Sequence, residues 1–290
     1  MTTRRKFLTT ASIGGAAALA TPAIVQAQST IKWRFQTYAG GALGEHVTKP
    51  VIDYINANSN GELQVELFYA DQIVPTGELF QALQRGTIDG VHSDDDSMAS
   101  PTPLRMFGGY FPFATKHILD VPVLFNQYGL KEIWEEEYAK VGVKWISAAG
   151  QDPCNFNTKK EITSVADLDG LRLYSFPTAG RFLAKFGVVP MNIPYEDAEV
   201  AVQTGELDGM AWSGITEDYT VGWADVTDYF LTNNISGAWI GSWFVNEKRW
   251  ADLPDHLKSV VMAATEAGHT YRNPVSYTHL RAHETGRNVG

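Results

Sequence analysis

The sequence predicts an α/β protein of two similar lobes with a hinge and a ligand cleft between them, and three observations carry that reading. The phrase Gln84-Arg85-Gly86-Thr87-Ile88-Asp89-Gly90 returns as Gln203-Thr204-Gly205-Glu206-Leu207-Asp208-Gly209. The copies lie 119 residues apart, Asp89 to Asp208, far beyond any solenoid period, so they read as one corner of each of two lobes. Second, Gly86 and Gly205 stand where a helix needs a left-handed C-terminal residue, and Ile88 and Leu207 then turn the chain inward to start a short buried strand. Third, strand-like and helix-like stretches alternate. That order favours mainly parallel sheets covered by helices, with ligands at the carboxyl ends of the strands.

Each element follows from its pattern. Ile31 to Thr37 alternates as a first strand, Gly40-Gly41 ends it, and a helix runs from about Leu43 to Asn58. Asn60-Gly61 is a turn, and Leu63, Val65, Leu67 and Tyr69 alternate as a second strand. A helix over 78–84 and a strand over 88–93 follow. A loop rich in proline and aromatics, 101–112, leads to helices near Val121–Tyr128 and Lys131–Ala139 and to a strand over Val143–Ser147. Ala148-Ala149-Gly150 reads as the crossing into the second lobe. There Leu171–Tyr174 is a strand, Thr178–Phe186 a helix, Val188–Pro190 a strand, and a helix over 196–203 feeds a strand over 207–212. The chain crosses back near Ala238–Val245, and Leu253-Pro254 opens a last helix with Leu257, Val260, Val261 and Ala264 on one face. The expected boundaries are 28–150 plus 240–273 for lobe I and 151–239 for lobe II.

The first 27 residues read as an export signal. Arg4-Arg5-Lys6-Phe7-Leu8, an Ala/Gly-rich stretch and Val25-Gln26-Ala27 supply the charged region, the apolar region and the small-residue cleavage site in order, and the paired arginines match a twin-arginine signal. Seven small or polar residues interrupt the apolar stretch, which argues against a membrane anchor. The mature chain is thus expected in a bacterial periplasm, where its one cysteine, Cys154, has no partner for an intramolecular disulfide. With 44% hydrophobic residues and 8 Trp the core can hold the fold by burial alone. The net charge of −10 argues against nucleic acid or an anionic membrane as partner, while leaving room for a small anionic ligand.

The segments Asp167-Leu168-Asp169-Gly170-Leu171-Arg172-Leu173, Phe186-Gly187-Val188-Val189-Pro190, Ala201 to Gly209 and Trp250 to Pro254 resemble, in order and spacing, the solute-binding subunit of TRAP (tripartite ATP-independent periplasmic) transporters. The resemblance runs from Ile31 to Arg272. It implies a periplasmic-binding-protein-like fold and a monomeric receptor that closes on a small organic acid and hands it to the TRAP membrane permease subunits; no cofactor or metal is expected.

The resemblance also implies site residues. Receptors of this kind fork an arginine onto the ligand carboxylate from the strand after Asp167-Leu168; here that position is Tyr174, and a second arginine position aligns near Cys154. Arg181 is the candidate substitute, with Arg34 and Arg105 behind it, and Arg172 reads as a surface residue. Trp212 stands where the family places a ligand-contacting residue and Tyr195 where it places an aromatic. Asp94, Gln36 and Tyr38 come from strand ends of the first lobe. Phe176 and Trp239 complete an aromatic pocket suited to a bulkier or aromatic acid, with Trp243 near the crossing.

An enzyme reading finds little chemistry. Ser213 lacks the glycines of a nucleophile elbow, Cys154 has no evident histidine partner, and no phosphate-binding glycine loop is present. Asp94-Asp95-Asp96 lacks the glycine and distal glutamate of a calcium loop and reads as a solvated loop. Ala211 stands where some TRAP receptors carry a cation-binding glutamate. The alternative is a receptor of another transporter or sensor, binding a neutral or sulfonate solute. The stretch 274–290 resembles a translated sequencing adapter and is read as a non-native tail, so His279 and His283 carry no metal.

Overall fold

The computed structural model describes residues 29–269 apart from Asn192 and Pro194. The signal at 1–27 and the tail at 274–290 lie outside the described residues. The described residues from Ile31 to His269 belong to one compact unit containing two five-stranded sheets.

The strands are β1 (Ile31–Thr37), β2 (Leu63–Phe68), β3 (Gly90–Ser93), β4 (Val143–Gly150), β5 (Phe156–Thr158), β6 (Arg172–Ser175), β7 (Val189–Met191), β8 (Gly209–Ala211), β9 (Tyr229–Leu231) and β10 (Ile240–Asn246). The first sheet is ordered β2-β1-β3-β10-β4 and the second β7-β6-β8-β5-β9. In each, three parallel strands meet an antiparallel pair. Strand β10 lies in the first sheet although it follows the whole of the second in sequence, so the chain passes between the lobes twice.

Binary pattern explains the first sheet. On β10, Trp243 packs with Trp33, Phe35, Val65, Leu257 and Val261 on one face, while Phe244 packs with Leu83, Val91, Trp145 and Tyr138 on the other. The helix expected over 43–58 is two helices, Gly41–Val47 and Lys49–Asn58. Pro50 in the first turn of the second has no N–H to continue the first, so the chain re-nucleates at Thr48. The break is used: the buried Thr48 hydroxyl bonds Thr37 Oγ1 at 3.0 Å and His92 Nδ1 at 2.9 Å beneath the strand ends.

The repeated phrase forms the same corner twice. Gly86 (φ 75°) and Gly205 (φ 80°) adopt the left-handed conformation after their helices, and Ile88 and Leu207 are fully buried. The strands themselves begin two residues later, at Gly90 and Gly209. Each aspartate locks the central strand of its sheet. Asp89 N–H donates to Arg34 O (2.8 Å) while Asp89 Oδ2 accepts from Arg34 N–H (2.7 Å). Asp208 makes the same pair of bonds with Arg172, both at 2.9 Å. Arg34 and Arg172 are therefore equivalent positions on β1 and β6.

The two passages between the lobes run antiparallel and stay bonded to each other. Ile240 pairs with Gly150, Gln151 N–H donates to Trp239 O (2.8 Å), Cys154 N–H to Ser236 O (3.0 Å) and Ile235 N–H to Cys154 O (2.9 Å). Ala148-Ala149-Gly150, read from sequence as the crossing, belongs to β4, and the crossing follows at Gln151.

Candidate ligand-binding site

The equivalence of β1 and β6 places Tyr38 and Phe176 at matching positions just beyond their strands, and Trp212 stands just beyond β8. These rings meet. Tyr38 lies edge-on to Trp239 (5.1 Å), Trp239 to Tyr110 (6.4 Å), Tyr110 to Phe176 (5.1 Å), and Phe176 stacks on Trp212 (6.3 Å, 11°). An unbroken chain of aromatic faces thus runs from the first lobe, past the crossing, into the second. All five residues are buried in one apolar cluster. Tyr110, from the proline- and aromatic-rich loop, was absent from the sequence candidates; the composition of that loop was the available signal.

The acidic run is buried, not solvated: Asp94, Asp95 and Asp96 are each at most 1% exposed. Every one has partners distant in sequence or a turn to cap. Asp94 Oδ1 accepts the N–H groups of Asp96 (2.9 Å) and Ser97 (2.8 Å). Asp95 accepts the Tyr138 hydroxyl, and the Trp134 indole N–H points at it from 3.5 Å. Asp96 Oδ1 takes Arg105 Nε at 2.9 Å, and its Oδ2 takes the Thr178 N–H at 2.7 Å. The last bond crosses between lobes. Gly108 permits this packing, since a Cβ there would meet Asp95 Oδ2 at 2.0 Å.

Burial raises the pKa of Asp95 from its ordinary 3.8 to about 7, and that of Asp94 to about 6. A carboxyl whose folded-state pKa is raised favours folding while protonated, so its contribution is lost as pH climbs from about 4 towards 7. The melting temperature is expected to fall across that window. Asp95→Asn is expected to flatten the fall, as read by thermal melts from pH 4 to 8; an unchanged slope would place the titration elsewhere.

A second acidic group, Asp152 with two residues of the helix Ile215–Thr220, is also buried. Asp152, Glu217 and Asp218 are buried at 3, 4 and 2% exposure. Asp152 Oδ2 accepts the Glu217 N–H (3.3 Å), in the first turn of the helix Ile215–Thr220. Ser213 Oγ donates to Glu217 Oε2, and Asn157 Nδ2 to Asp218 Oδ2. Asp218 Oδ1 has no hydrogen-bond partner among the described residues. Burial pushes the Asp218 carboxyl well above the usual range. Burial raises the Tyr110 phenol well above its ordinary value, and its hydroxyl donates to Asp152 O at 3.5 Å. Sequence reasoning assigned these acids no role, and the Asn157 partner of Asp218 arrives only through tertiary packing.

The remaining candidates occupy separate places in the fold. Gln36 is fully buried and its amide is consumed by the segment beside it, donating to Val74 O (2.7 Å) and accepting from Ile73 N (3.2 Å) and Val74 N (3.1 Å); it positions a loop. Arg181 is exposed on its helix and reaches Thr178 Oγ1 at 3.3 Å. Arg34 is exposed. Arg172 forks onto Asp208 (2.9 and 3.0 Å), and Arg105 is held by Asp96. Tyr174 is half-buried against the cluster. Cys154 is fully buried and burial raises its thiol well above the usual range, which removes the thiolate a nucleophile needs. Tyr195 opens the helix Tyr195–Thr204; its side chain lies outside the described residues. Trp243 stacks on His92 at 4.2 Å within the first lobe.

A cavity of about 350 Å³ lined by Phe113, Phe156, Leu168, Phe182 and Phe186 contains none of the sequence candidates. Among the described residues no group of histidine, cysteine or acidic side chains is arranged to hold a metal ion, and no helix is long and apolar enough to cross a membrane.

Residues 41–282 match the DctP family, bacterial extracellular solute-binding protein family 7. A TRAP periplasmic solute-binding protein from Chromohalobacter salexigens, solved with bound (S)-(+)-2-amino-1-propanol, is 65% identical with a TM-score of 0.85, over 87% of this chain and 81% of that one. A monocarboxylate 2-oxoacid-binding periplasmic protein of Nostoc sp. is 26% identical over 93% of this chain and 77% of its own length. A TRAP periplasmic solute-binding protein from Colwellia psychrerythraea, solved with calcium and pyruvate, shares the fold at 22% identity and a TM-score of 0.76, over 90% of this chain and 80% of that one.

Proposed function

Since this chain belongs to family 7 of the bacterial extracellular solute-binding proteins, as a solute receptor of TRAP transporters, we propose that it captures a small organic acid by closing two lobes on it. Lobe I comprises 28–150 plus 240–273 and lobe II 151–239, and the loaded receptor is delivered as a monomer to the membrane permease subunits. The observation that carries the reading is the aromatic chain from Tyr38 to Trp212, which draws residues from both lobes into one buried wall. A ligand between them makes contacts in the closed state that the open state cannot make. The acid class is supported by the 2-oxoacid-binding relative and the pyruvate-bound structure. A second reading, a solute with an amine, is favoured by the absence of arginine at positions 154 and 174 and by the amino alcohol held by the 65% identical receptor.

A thermal-shift screen of small acids and amines tests the proposal. At about 100 times Kd a ligand stabilises the folded state by roughly 2.7 kcal/mol, which is about 5–11 °C for a chain of this size. No shift with any small solute would refute it. Trp212→Phe, which keeps a ring against Phe176, separates binding from packing: weaker binding with a near-normal apo melt assigns Trp212 to the ligand.

Periplasmic export through the twin-arginine signal belongs to the same proposal. Replacing Arg4 and Arg5 together by Lys keeps the charge and is expected to abolish export, measured as protein in the periplasmic fraction. An unchanged yield would point to a different export route.

A further inference from the structure

Resting on the second form of the receptor reading, a solute with an amine, we propose that Asp218, with Glu217 and Asp152 beside it, is the subsite for a protonated primary amine, so that the captured solute is a small amine-bearing organic molecule. The Asp218 carboxyl is 2% exposed; Asn157 occupies one oxygen, and the other has no partner among the described residues. A buried carboxylate with an oxygen to spare is costly unless a cation meets it, and a ligand ammonium arriving on closure supplies that cation.

The surroundings favour the same charge. The helix Ile215–Thr220, which carries Glu217 and Asp218, packs against the helix Gly41–Val47 of the first lobe. Tyr110, whose hydroxyl donates to Asp152 O at 3.5 Å, joins this group to the rings of Phe176 and Trp239, and aromatic faces attract cations. Two of the four candidate guanidinium groups are committed elsewhere, Arg172 to Asp208 and Arg105 to Asp96, and the other two, Arg34 and Arg181, are exposed. A ligand carrying only a carboxylate would therefore approach like charge, whereas an amine would complete the site.

Calorimetric titration of the full chain with three probes of one size decides the matter: (S)-2-amino-1-propanol, propane-1,2-diol, in which hydroxyl replaces the amine, and L-lactate. The amine is expected to bind, with the diol and lactate at least about a hundredfold weaker, the scale of a lost charged hydrogen bond in a buried site. Asp218→Asn is expected to weaken the amine by about tenfold to a hundredfold. Should that variant fail to fold by circular dichroism, Glu217→Gln takes its place, and the ranking of probes on the unaltered chain remains decisive. Lactate binding as tightly as the amine would overturn the inference and leave the receptor reading standing. Amine binding unchanged in Asp218→Asn would overturn the assignment of the subsite. Silence from all three probes would overturn the inference together with the receptor reading for solutes of this size.

Discussion

Replacing Asp89 by alanine is expected to cost roughly 3 kcal/mol of folding stability, the scale of a lost charged hydrogen bond and the backbone donor it strands. Asp89 is 2% exposed; its Oδ2 holds the Arg34 N–H at 2.7 Å, and Arg249 Nε lies 2.8 Å from Oδ1, an ion pair by distance rather than an aligned hydrogen bond. Asp208, the same residue of the second copy, is expected to cost only about 1 kcal/mol, because its pair with Arg172 is partly solvated, at 24 and 41% side-chain exposure. The Arg172 hydrogen bond lowers the Asp208 pKa. Its contribution is therefore present above the unfolded carboxylate range and is lost as pH falls through the folded value. Urea melts with unchanged slope and a shifted midpoint measure both. Equal losses at the two sites would mean that burial does not set the difference.

Asp96→Ala is expected to weaken ligand binding by about tenfold to a hundredfold by removing a charged hydrogen bond that only the closed form makes. Asp96 sits in the first lobe and the Thr178 N–H it accepts sits in the second, at the start of the helix Pro177–Leu183. Arg105 orients the carboxylate from behind at 2.9 Å. Titration calorimetry gives the affinity, and small-angle scattering is expected to show a larger radius of gyration for the variant. An unchanged radius with unchanged affinity would make the bond incidental to closure.

Most of the parallel core was legible because its strands are long enough to alternate or are announced by the repeated corner, and the three-residue β7 was read from its Val188-Val189-Pro190 run. Strands β5 and β9 were not legible: Phe156-Asn157-Thr158 and Tyr229-Phe230-Leu231 are three residues each, too short for a period to declare itself. The break at Thr48 was readable from Pro50, which the apolar spacing across 43–58 overrode. Of the site, Tyr38, Phe176 and Trp212 could be named because each follows its strand directly, whereas Trp239 precedes β10 and Tyr110, on a loop, was missed. The acids could not. Asp95 depends on Tyr138 and Trp134, and Asp96 on Arg105 and Thr178; these partners arrive through tertiary packing, and a run of three like charges read alone points to water. Gln36 was placed correctly at a strand end, yet its amide is spent on the backbone at 73–74, a local demand that spacing does not reveal.

The bonded pair of strands between the lobes limits how the molecule can move. A single flexible tether would let one lobe swivel, twist and slide against the other. Two antiparallel segments locked by the bonds of Gln151, Cys154 and Ile235 resist shear and separation and leave bending about the ribbon as the soft coordinate. Closure then resembles a door on its jamb rather than a ball in a socket. The open receptor searches few orientations, so little rotational entropy is surrendered when the solute brings the lobes together, and more of each contact is left over as affinity.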